Sequence, residues 1–489
     1  MIFHKKKFNV FILFFLLVVL FFSAGFYLSY FLLNNLTPEK ILQSDFVQEK
    51  IIETMGEENA DIISLLPTFL GFDVPKNYLV LFLNNTELRP GGGFIGSYAT
   101  LQVTQGHLEI LEMGGTESIG VDSSNPNPPQ IIKDKLKVDK WYLRDSNWSP
   151  DFVESSKKTL EFYQAGNNVA AGEISAVIAV TTDVLEDLMK KTGPFVVDGI
   201  EFTAENVIEK LEYEVEYGYD DKGIKFDERK AIMKPFMLAL VDHVKYDMFK
   251  NIKIYKDLFT SLLEEKNILV YSLSSDLQNI LDKNDWSGRM KSFSGDYLMW
   301  VDANLAALKT DHAMLRKLNY SISKDKDENY LAKATMTYIH NGSFDWRTTR
   351  YLSYARIFVP EGADLLEVKI GDKIWQKNSE KNDFVVDKGI DNYRSWFGIY
   401  VAIEPKDTKA VSFSYLLPAS ITENIKNNNY NLLIQKQIGL NNASLTTELK
   451  FGTTSIVSAV PAEAEKYWYD SNYVFEIDFV KDQIFNIKF

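Results

Sequence analysis

The chain contains 489 residues, of which 46% are hydrophobic and 25% are charged, so it has enough apolar material to fold around real cores. Its formal net charge of −14 is the wrong sign for a surface that neutralises a phosphate backbone, which argues against nucleic acid as a partner. Cysteine is absent, which excludes disulfides, thiolate zinc sites, iron–sulfur clusters and a cysteine nucleophile.

The N-terminus predicts a membrane anchor. Lys5 to Lys7 precede a stretch from Phe8 to Pro38 without any charged residue, and the apolar centre of this stretch covers residues 10–33. A helix of that length reaches about 36 Å at 1.5 Å per residue, enough to cross a hydrocarbon core of about 30 Å. A signal peptide cleaved near Ser23 to Gly25 is the alternative interpretation. The lysines favour a cytoplasmic segment 1–9 and a single-pass protein of the cell membrane whose bulk is extracellular.

The next segments predict a helical stalk and then an α/β domain. Apolar residues recur at helical spacing across most of residues 34–75, which predicts the stalk. The apolar run from Tyr78 to Leu83 is typical of a strand buried on both faces. Strands and helices then alternate, as in the strand Ile174–Val180 followed by the helix Asp183–Lys191. This alternation predicts an extracellular α/β (α+β) domain with a mixed sheet over residues 76–310.

Strand patterning replaces helical periodicity in the last third of the chain. Alternating or β-branched runs, such as Leu331–Ile339 and Trp396–Ile403, are separated by turns such as Pro360–Gly362. Many short strands with Gly, Pro and Asn turns are typical of a sandwich or barrel. We therefore expect a separate all-β sandwich domain over residues 311–489.

The sequence contains no complete cofactor-binding or catalytic motif of a familiar kind. Gly91, Gly93 and Gly96 spell G-x-G-x-x-G, but the chain continues as a strand rather than as the helix that receives a dinucleotide pyrophosphate. The five histidines never pair at i,i+4, and no G-x-S-x-G elbow occurs. We therefore predict no nucleotide, haem or zinc site.

A polar, glycine-rich loop after the first strand is the main candidate site. An arginine supplies bidentate donors, and successive backbone amides form a concave site for phosphate or pyrophosphate. The alternative is an ordinary tight turn in which Glu87 and Arg89 pair with each other. The candidate residues of this loop are Asn85, Glu87, Arg89, Gly91, Gly92 and Gly93.

A second polar cluster precedes a predicted helix that starts at Ser149-Pro150. Arg144 is a candidate for binding phosphate, and Asp145 is a candidate ligand for Mg²⁺. Asp151, also part of this polar site, either binds a divalent cation or favours the positive end of the helix dipole, and the second interpretation is preferred.

These two clusters carry a resemblance to a known family. The string N-N-T-E-L-R-P-G-G-G-F from Asn84 to Phe94, followed by Tyr142–Trp148 and Pro150–Phe152, resembles the bacterial family called domain of unknown function 4012. Asp302–Leu305 and Tyr351–Gly362 are similar to later segments of that family. The family name implies no established activity.

A fainter similarity points to a family of enzymes. Ala176–Val180, Lys191–Val197 and Asp227–Arg229 resemble, in order and spacing, the LytR-CpsA-Psr family. That resemblance implies membrane-anchored extracellular enzymes that move glycopolymers from polyprenyl pyrophosphate carriers onto peptidoglycan, with arginines on the pyrophosphate and aspartate-bound magnesium. Here the segment expected to carry paired arginines is the acidic run Tyr213–Asp221, which would repel a pyrophosphate.

Two functional hypotheses follow. In the first, a cell-envelope protein anchored in the cytoplasmic membrane binds a polyprenyl-phosphate-linked or wall glycopolymer. Arg89 and Arg144 then hold phosphate, Asp145 holds Mg²⁺, and it stays open whether the protein also transfers the polymer as an enzyme. In the second, the protein is a non-catalytic envelope scaffold or adhesion module. An apolar tunnel beside converging charges favours the first hypothesis, and a solid core favours the second.

Overall fold

The computed structural model describes residues 67–119, 126–248, 251–465 and 470–489. The predicted anchor at residues 10–33 and most of the predicted stalk at 34–75 lie outside these ranges, so both stay predictions. Among the helices in the described ranges, none is long and apolar enough to cross a membrane.

The first folded unit is built on a mixed sheet. Its strands are β1 (Lys76–Asn84), β2 (Phe94–Thr104), β3 (His107–Gly115), β4 (Ile174–Thr181), β5 (Phe195–Val197), β6 (Ile200–Phe202) and β7 (Ile268–Ser272). The described strands of the main sheet run in the order β3-β2-β1-β4-β7, and β5 pairs with β6 separately. β4 runs parallel to β1, whereas β2 and β7 run antiparallel to their neighbours. The predicted mixed α/β unit is confirmed.

Helices cover both faces of this sheet. They are α1 (Gln130–Leu136), α2 (Phe152–Ala165), α3 (Asp183–Thr192), α4 (Val207–Tyr213), α5 (Tyr219–Asp221), α6 (Met233–Met248), α7 (Ile252–Glu264) and α8 (Ser275–Lys283). A π-helical turn, Glu214–Gly218, joins α4 to α5. Leu79 and Leu81 of β1 pack in the core beneath α2, while Tyr78 and Val80 pack in the core beneath α3, α4, α6 and α7. The apolar run of β1 is therefore buried on both faces because helices lie on both sides of it.

The second unit consists of two large sheets. Its elements are β8 (Asp296–Val301), β9 (Met314–Lys324), β10 (Tyr330–His340), β11 (Tyr351–Pro360), β12 (Asp364–Ile370), β13 (Lys373–Gln376), β14 (Asp387–Asp391), β15 (Arg394–Ile403), β16 (Thr408–Leu416), α9 (Ala419–Lys426), β17 (Asn429–Ile434), β18 (Ala443–Lys450), β19 (Ser458–Val460), β20 (Asn472–Asp478) and β21 (Gln483–Lys488). Within the described chain, one sheet has the order β13-β12-β16-β10-β9-β18-β20 and the other β14-β15-β11-β8-β17-β21-β19. One hydrophobic cluster contains buried side chains of both sheets. The predicted β-rich C-terminal region is confirmed.

The β unit starts before the expected boundary at residue 311. β8 pairs with β11 on one side and runs parallel to β17 on the other, so it is an internal strand of its sheet. All six of its residues are buried. After Asp296 the strand is a short apolar run, and periodicity alone cannot distinguish a buried strand from a helix in such a run, which is why the sequence places the boundary too far along the chain.

Candidate functional site

An apolar cavity of about 860 Å³ lies between the main sheet of the α/β unit and its helices α3, α4 and α6. Its wall is mostly aliphatic and includes Val80, Ile110, Ile178, Leu211 and Met237. Leu108 on the edge strand β3 and Leu238 on α6 also line the cavity, and they are 39% and 49% exposed. The cavity wall between β3 and α6 therefore reaches solvent.

One end of the cavity carries an alternating chain of charges. Glu216 pairs with Lys309 at 3.1 Å and with Arg229 at 3.1 Å. Arg229 also pairs with Glu117 at 3.1 Å, and Glu117 pairs with Lys230 at 2.7 Å. We call these five residues the charged end. Four of them belong to the α/β unit, and Lys309 comes from the segment between β8 and β9 of the β unit.

The charged end contains a donor that no described residue accepts from. It contains three cations and two carboxylates. Nε of Arg229 is buried, and it has no hydrogen-bond partner among the described residues. Burial lowers the pKa of Lys230, although Glu117 beside it favours the charged form. Three cations and an available guanidinium donor beside an apolar cavity are suited to an anionic group at the end of an apolar chain.

Arg89, the central candidate of the sequence, lies in a different place and is fully engaged. It is 2% exposed, and its guanidinium donates to Asp145 Oδ1 at 3.1 Å, to Glu87 Oε1 at 3.0 Å and to the backbone carbonyl of Asn304. Burial raises the pKa of Glu87 in spite of this arginine, whereas the two carboxylates raise the pKa of Arg89 in spite of burial. The alternative interpretation of a paired, structural turn therefore describes its environment.

The glycines of the same loop are packed against protein atoms. Gly91 N donates to the carbonyl of Asn147 and Gly92 N to the carbonyl of Arg89, both at 3.0 Å. Gly92 has a φ of +117°, and a Cβ on it would lie 2.6 Å from Cγ2 of Ile438. The amides of Gly91 and Gly92 thus bind the chain itself, and the loop joins the two units rather than forming an open anion site.

Asp145 and Arg144 belong to the same buried cluster. Asp145 is 2% exposed, and its second carboxylate oxygen lies 3.5 Å from Nε of Arg144, whose side chain is 39% exposed. Two guanidinium groups therefore surround the one carboxylate proposed for Mg²⁺, and a dication would be repelled by both. Within the described residues, no group of three or more His, Asp or Glu side chains is arranged to hold a metal ion. The residues at Asp145 do not fit Mg²⁺.

The remaining candidates hold structural positions. Asn85 is 6% exposed, donates to Asp183 and to the carbonyl of Gly439, and accepts from Thr182, so it connects α3 to the β unit. Asp151 caps α2: its Oδ1 accepts from the backbone amides of Val153 and Glu154. The preferred reading of Asp151, at the positive end of the helix dipole, matches this geometry, with the cap one residue after Pro150.

Comparison with known proteins identifies part of the chain. Residues 73–216 match the family model described as Protein of unknown function (DUF4012). This match confirms the first resemblance seen in the sequence, over the segment that contains Arg89, Asp145 and Glu216. The resemblances quoted for segments beyond residue 216, and the similarity to LytR-CpsA-Psr enzymes, stay predictions. A comparison with curated proteins finds no match.

Solved structures share only weak similarity with this chain. A candidate nutrient binding protein from Legionella pneumophila is 8% identical over 40% of this chain and 71% of its own, with a TM-score of 0.26. Leukotriene A4 hydrolase from Saccharomyces cerevisiae is 12% identical over 37% and 28%, with a TM-score of 0.21. A candidate protease from Parabacteroides distasonis is 8% identical over 36% and 41%, with a TM-score of 0.20. Scores this low carry no argument about function.

The charged end is the part of the site that the sequence did not reveal. Arg229, Lys230 and Lys309 all lie beyond the DUF4012 segment. Lys309 is 93 positions from its partner Glu216, and no spacing rule connects residues so far apart. The one available signal was the acidic run itself, because several carboxylates beside an apolar core require cationic partners from elsewhere in the fold.

Proposed function

We propose that this protein is a membrane-anchored cell-envelope protein whose α/β unit binds a polyprenyl-phosphate-linked glycan. The polyprenyl chain occupies the apolar cavity, and the phosphate lies at the charged end. The proposal is limited to binding.

The observation that carries the proposal is the cavity. Its volume of about 860 Å³ lies within the range of roughly 300–1,000 Å³ that is typical of ligand sites. A solid core in this place would have favoured a scaffold, whereas an aliphatic cavity that reaches solvent provides room for a long apolar chain. Burial of such a chain would contribute about 25 cal/mol per Å² of apolar surface removed from water.

The charged end supports the phosphate part of the proposal. Nε of Arg229 is a buried donor there without a partner among the residues that the structure describes, and Lys230 and Lys309 supply two further cations. Arg89 is less suited to this role, because each of its three nitrogens already donates to a protein oxygen. We therefore assign the phosphate to Arg229 and its neighbours rather than to Arg89 and Arg144.

Isothermal titration calorimetry of the purified full-length chain with undecaprenyl phosphate tests the proposal. Undecaprenol, which lacks the phosphate, is the matched control ligand. Removing the charge-assisted bonds of Arg229 costs about 1.5–3 kcal/mol, so Arg229→Ala should weaken phosphate binding on the order of tenfold to a hundredfold. Arg350→Ala is the matched control variant, because Arg350 forms an exposed ion pair with Glu404 outside the cavity.

A second variant tests the cavity itself. Met237 lines the cavity and is only half-buried, so Met237→Trp should fill space there without disrupting the tightly packed core. We expect this variant to lose binding of both undecaprenyl phosphate and undecaprenol while it keeps a cooperative unfolding transition. If wild type binds neither ligand, the non-catalytic scaffold becomes the better proposal. The fully paired Arg89 cluster is compatible with a scaffold.

A further inference from the structure

Three aromatic side chains form a corner on the surface. The ring of Trp346 stands nearly perpendicular to the rings of Tyr213 and Tyr217, at 83° and 88°, with centroids 5.8 and 5.7 Å away. The two tyrosine rings are tilted by 33° to each other, with centroids 5.9 Å apart. The two tyrosine rings form one side of the corner, and the indole ring of Trp346 forms the other side. We call these three residues the aromatic corner.

The two tyrosines of the aromatic corner are exposed and Trp346 is partly buried, and the three residues come from both units. Tyr213 and Tyr217 are 43% and 47% exposed. Tyr213 ends α4 and Tyr217 lies in the π-helical turn, while Trp346 lies in the segment between β10 and β11 of the β unit. Single-turn π-helices are frequent at functional sites. Aromatic rings this exposed leave their faces available to a ligand.

The aromatic corner is continuous with the proposed ligand site. Between the two tyrosines, Val215 and Glu216 line the cavity, so one short helical segment carries part of the cavity wall and two rings of the corner. The residue after Trp346, Arg347, pairs with the cavity residue Glu212 at 2.6 Å. A ligand whose phosphate lies beside Glu216 would therefore extend its next group towards these rings.

We propose that the aromatic corner binds a pyranose sugar attached to the lipid phosphate, an inference that rests on the proposed function. The C–H face of a pyranose ring is apolar and stacks on an aromatic face, and its hydroxyl groups need polar partners around the rings. The surroundings provide such a partner in the exposed Asp345, which lies two residues before Arg347. Exposed acidic residues nearby, Asp220 and Asp221, favour a neutral sugar over an anionic membrane surface as the occupant.

Two matched lipids test this inference on the purified full-length chain. Undecaprenyl phosphate glucose and undecaprenyl methyl phosphate carry the same singly charged phosphodiester, and only the first carries a sugar. We expect wild type to bind the glucose lipid more tightly. Because an aromatic contact contributes about 0.5–1.5 kcal/mol, Trp346→Ala and Tyr217→Ala should each reduce this preference about 2- to 13-fold and leave the methyl lipid unaffected. Tyr393→Ala, which removes an aromatic ring that is 87% exposed elsewhere in the β unit, should change neither affinity.

Each outcome has a defined meaning. Equal affinity of wild type for the two lipids would overturn the sugar site while leaving lipid binding intact. An equal loss of both lipids in Trp346→Ala and in Tyr217→Ala would also overturn it, because the rings would then shape the cavity rather than hold a sugar. Failure of wild type to bind either lipid would overturn the proposed function as well.

Discussion

Replacing Arg89 with alanine should destabilise the fold, and this separates a structural arginine from a ligand-binding one. In the structure Arg89 is 2% exposed and joins two carboxylates, Glu87 and Asp145. Its third contact, the carbonyl of Asn304, belongs to the β unit. The substitution therefore leaves one buried carboxylate, Asp145, with a single distant partner, and one buried carbonyl without its donor.

The size of the effect follows from this environment. Removing one partner of a buried ion pair costs about 3–5 kcal/mol, because the remaining charge stays buried without compensation. Arg144 contacts the same Asp145 at 3.5 Å, but its side chain is 39% exposed. Loss of an exposed partner costs at most about 1 kcal/mol, so Arg144→Ala is the matched control. Arg89→Lys should fall between the two, since it keeps the charge and loses the planar fork of donors.

Urea unfolding of the purified full-length chain, followed by tryptophan fluorescence, measures these effects. We expect the urea concentration at the transition midpoint to decrease least in Arg144→Ala, more in Arg89→Lys and most in Arg89→Ala. Undecaprenyl phosphate binding by whatever Arg89→Ala protein remains folded should match wild type. A variant that unfolds like wild type and binds the phosphate much more weakly would refute the reasoning, because Arg89 would then be waiting for a ligand.

Two further predictions concern single buried positions. Burial raises the pKa of Asp296 from 3.8 to about 6. The neutral carboxyl group therefore adds its full contribution to the free energy of unfolding below pH 4, and this contribution is lost as the pH rises through 6. The free energy of unfolding of Asp296→Asn relative to wild type should therefore rise by on the order of 3 kcal/mol between pH 4 and pH 7, and a flat difference in urea titrations would contradict this. Gly92→Ala should cost about 1–3 kcal/mol more than Gly199→Ala in the same assay, because both glycines have positive φ but only a Cβ at Gly92 meets other atoms. Equal losses would show that the loop relaxes around Ile438.

The sequence predicted those features that depend on nearby residues. The apolar run of β1 and the strand at Ile174–Val180 followed by a helix from Asp183 are local patterns, and the structure reproduces both. The two polar clusters around Arg89 and Asp145 were also recognised. The structure brings them together, with Nε of Arg89 3.1 Å from Oδ1 of Asp145. Their role could not be read from the sequence, because polar residue types are the same whether a cluster is open to a ligand or closed on itself.

Features that depend on distant residues could not be predicted. The cavity exists because side chains of β1, β3, α4 and α6 leave space between them, and hydrophobic periodicity reports which face is apolar but not whether that face packs fully. The boundary of the β unit also depends on contacts between residues that are far apart in the sequence. β8 is placed by its pairing with β11 and β17, which come 50 residues or more later in the chain.

The acidic run Tyr213–Asp221, which appeared to argue against binding of a phosphate, has a different meaning once its partners are known. Glu212 beside the run pairs with Arg347, Glu214 pairs with Lys222, and Glu216 pairs with both Arg229 and Lys309. The carboxylates of Glu212, Glu214 and Glu216 are thus paired with cations, while Asp220 and Asp221 at the end of the run stay exposed, so the cavity side of the run is not a bare negative surface. A phosphate at the charged end would compete with Glu216 for Arg229 and Lys309. Because Lys309 belongs to the β unit, such a competition would couple ligand binding to the contact between the two units.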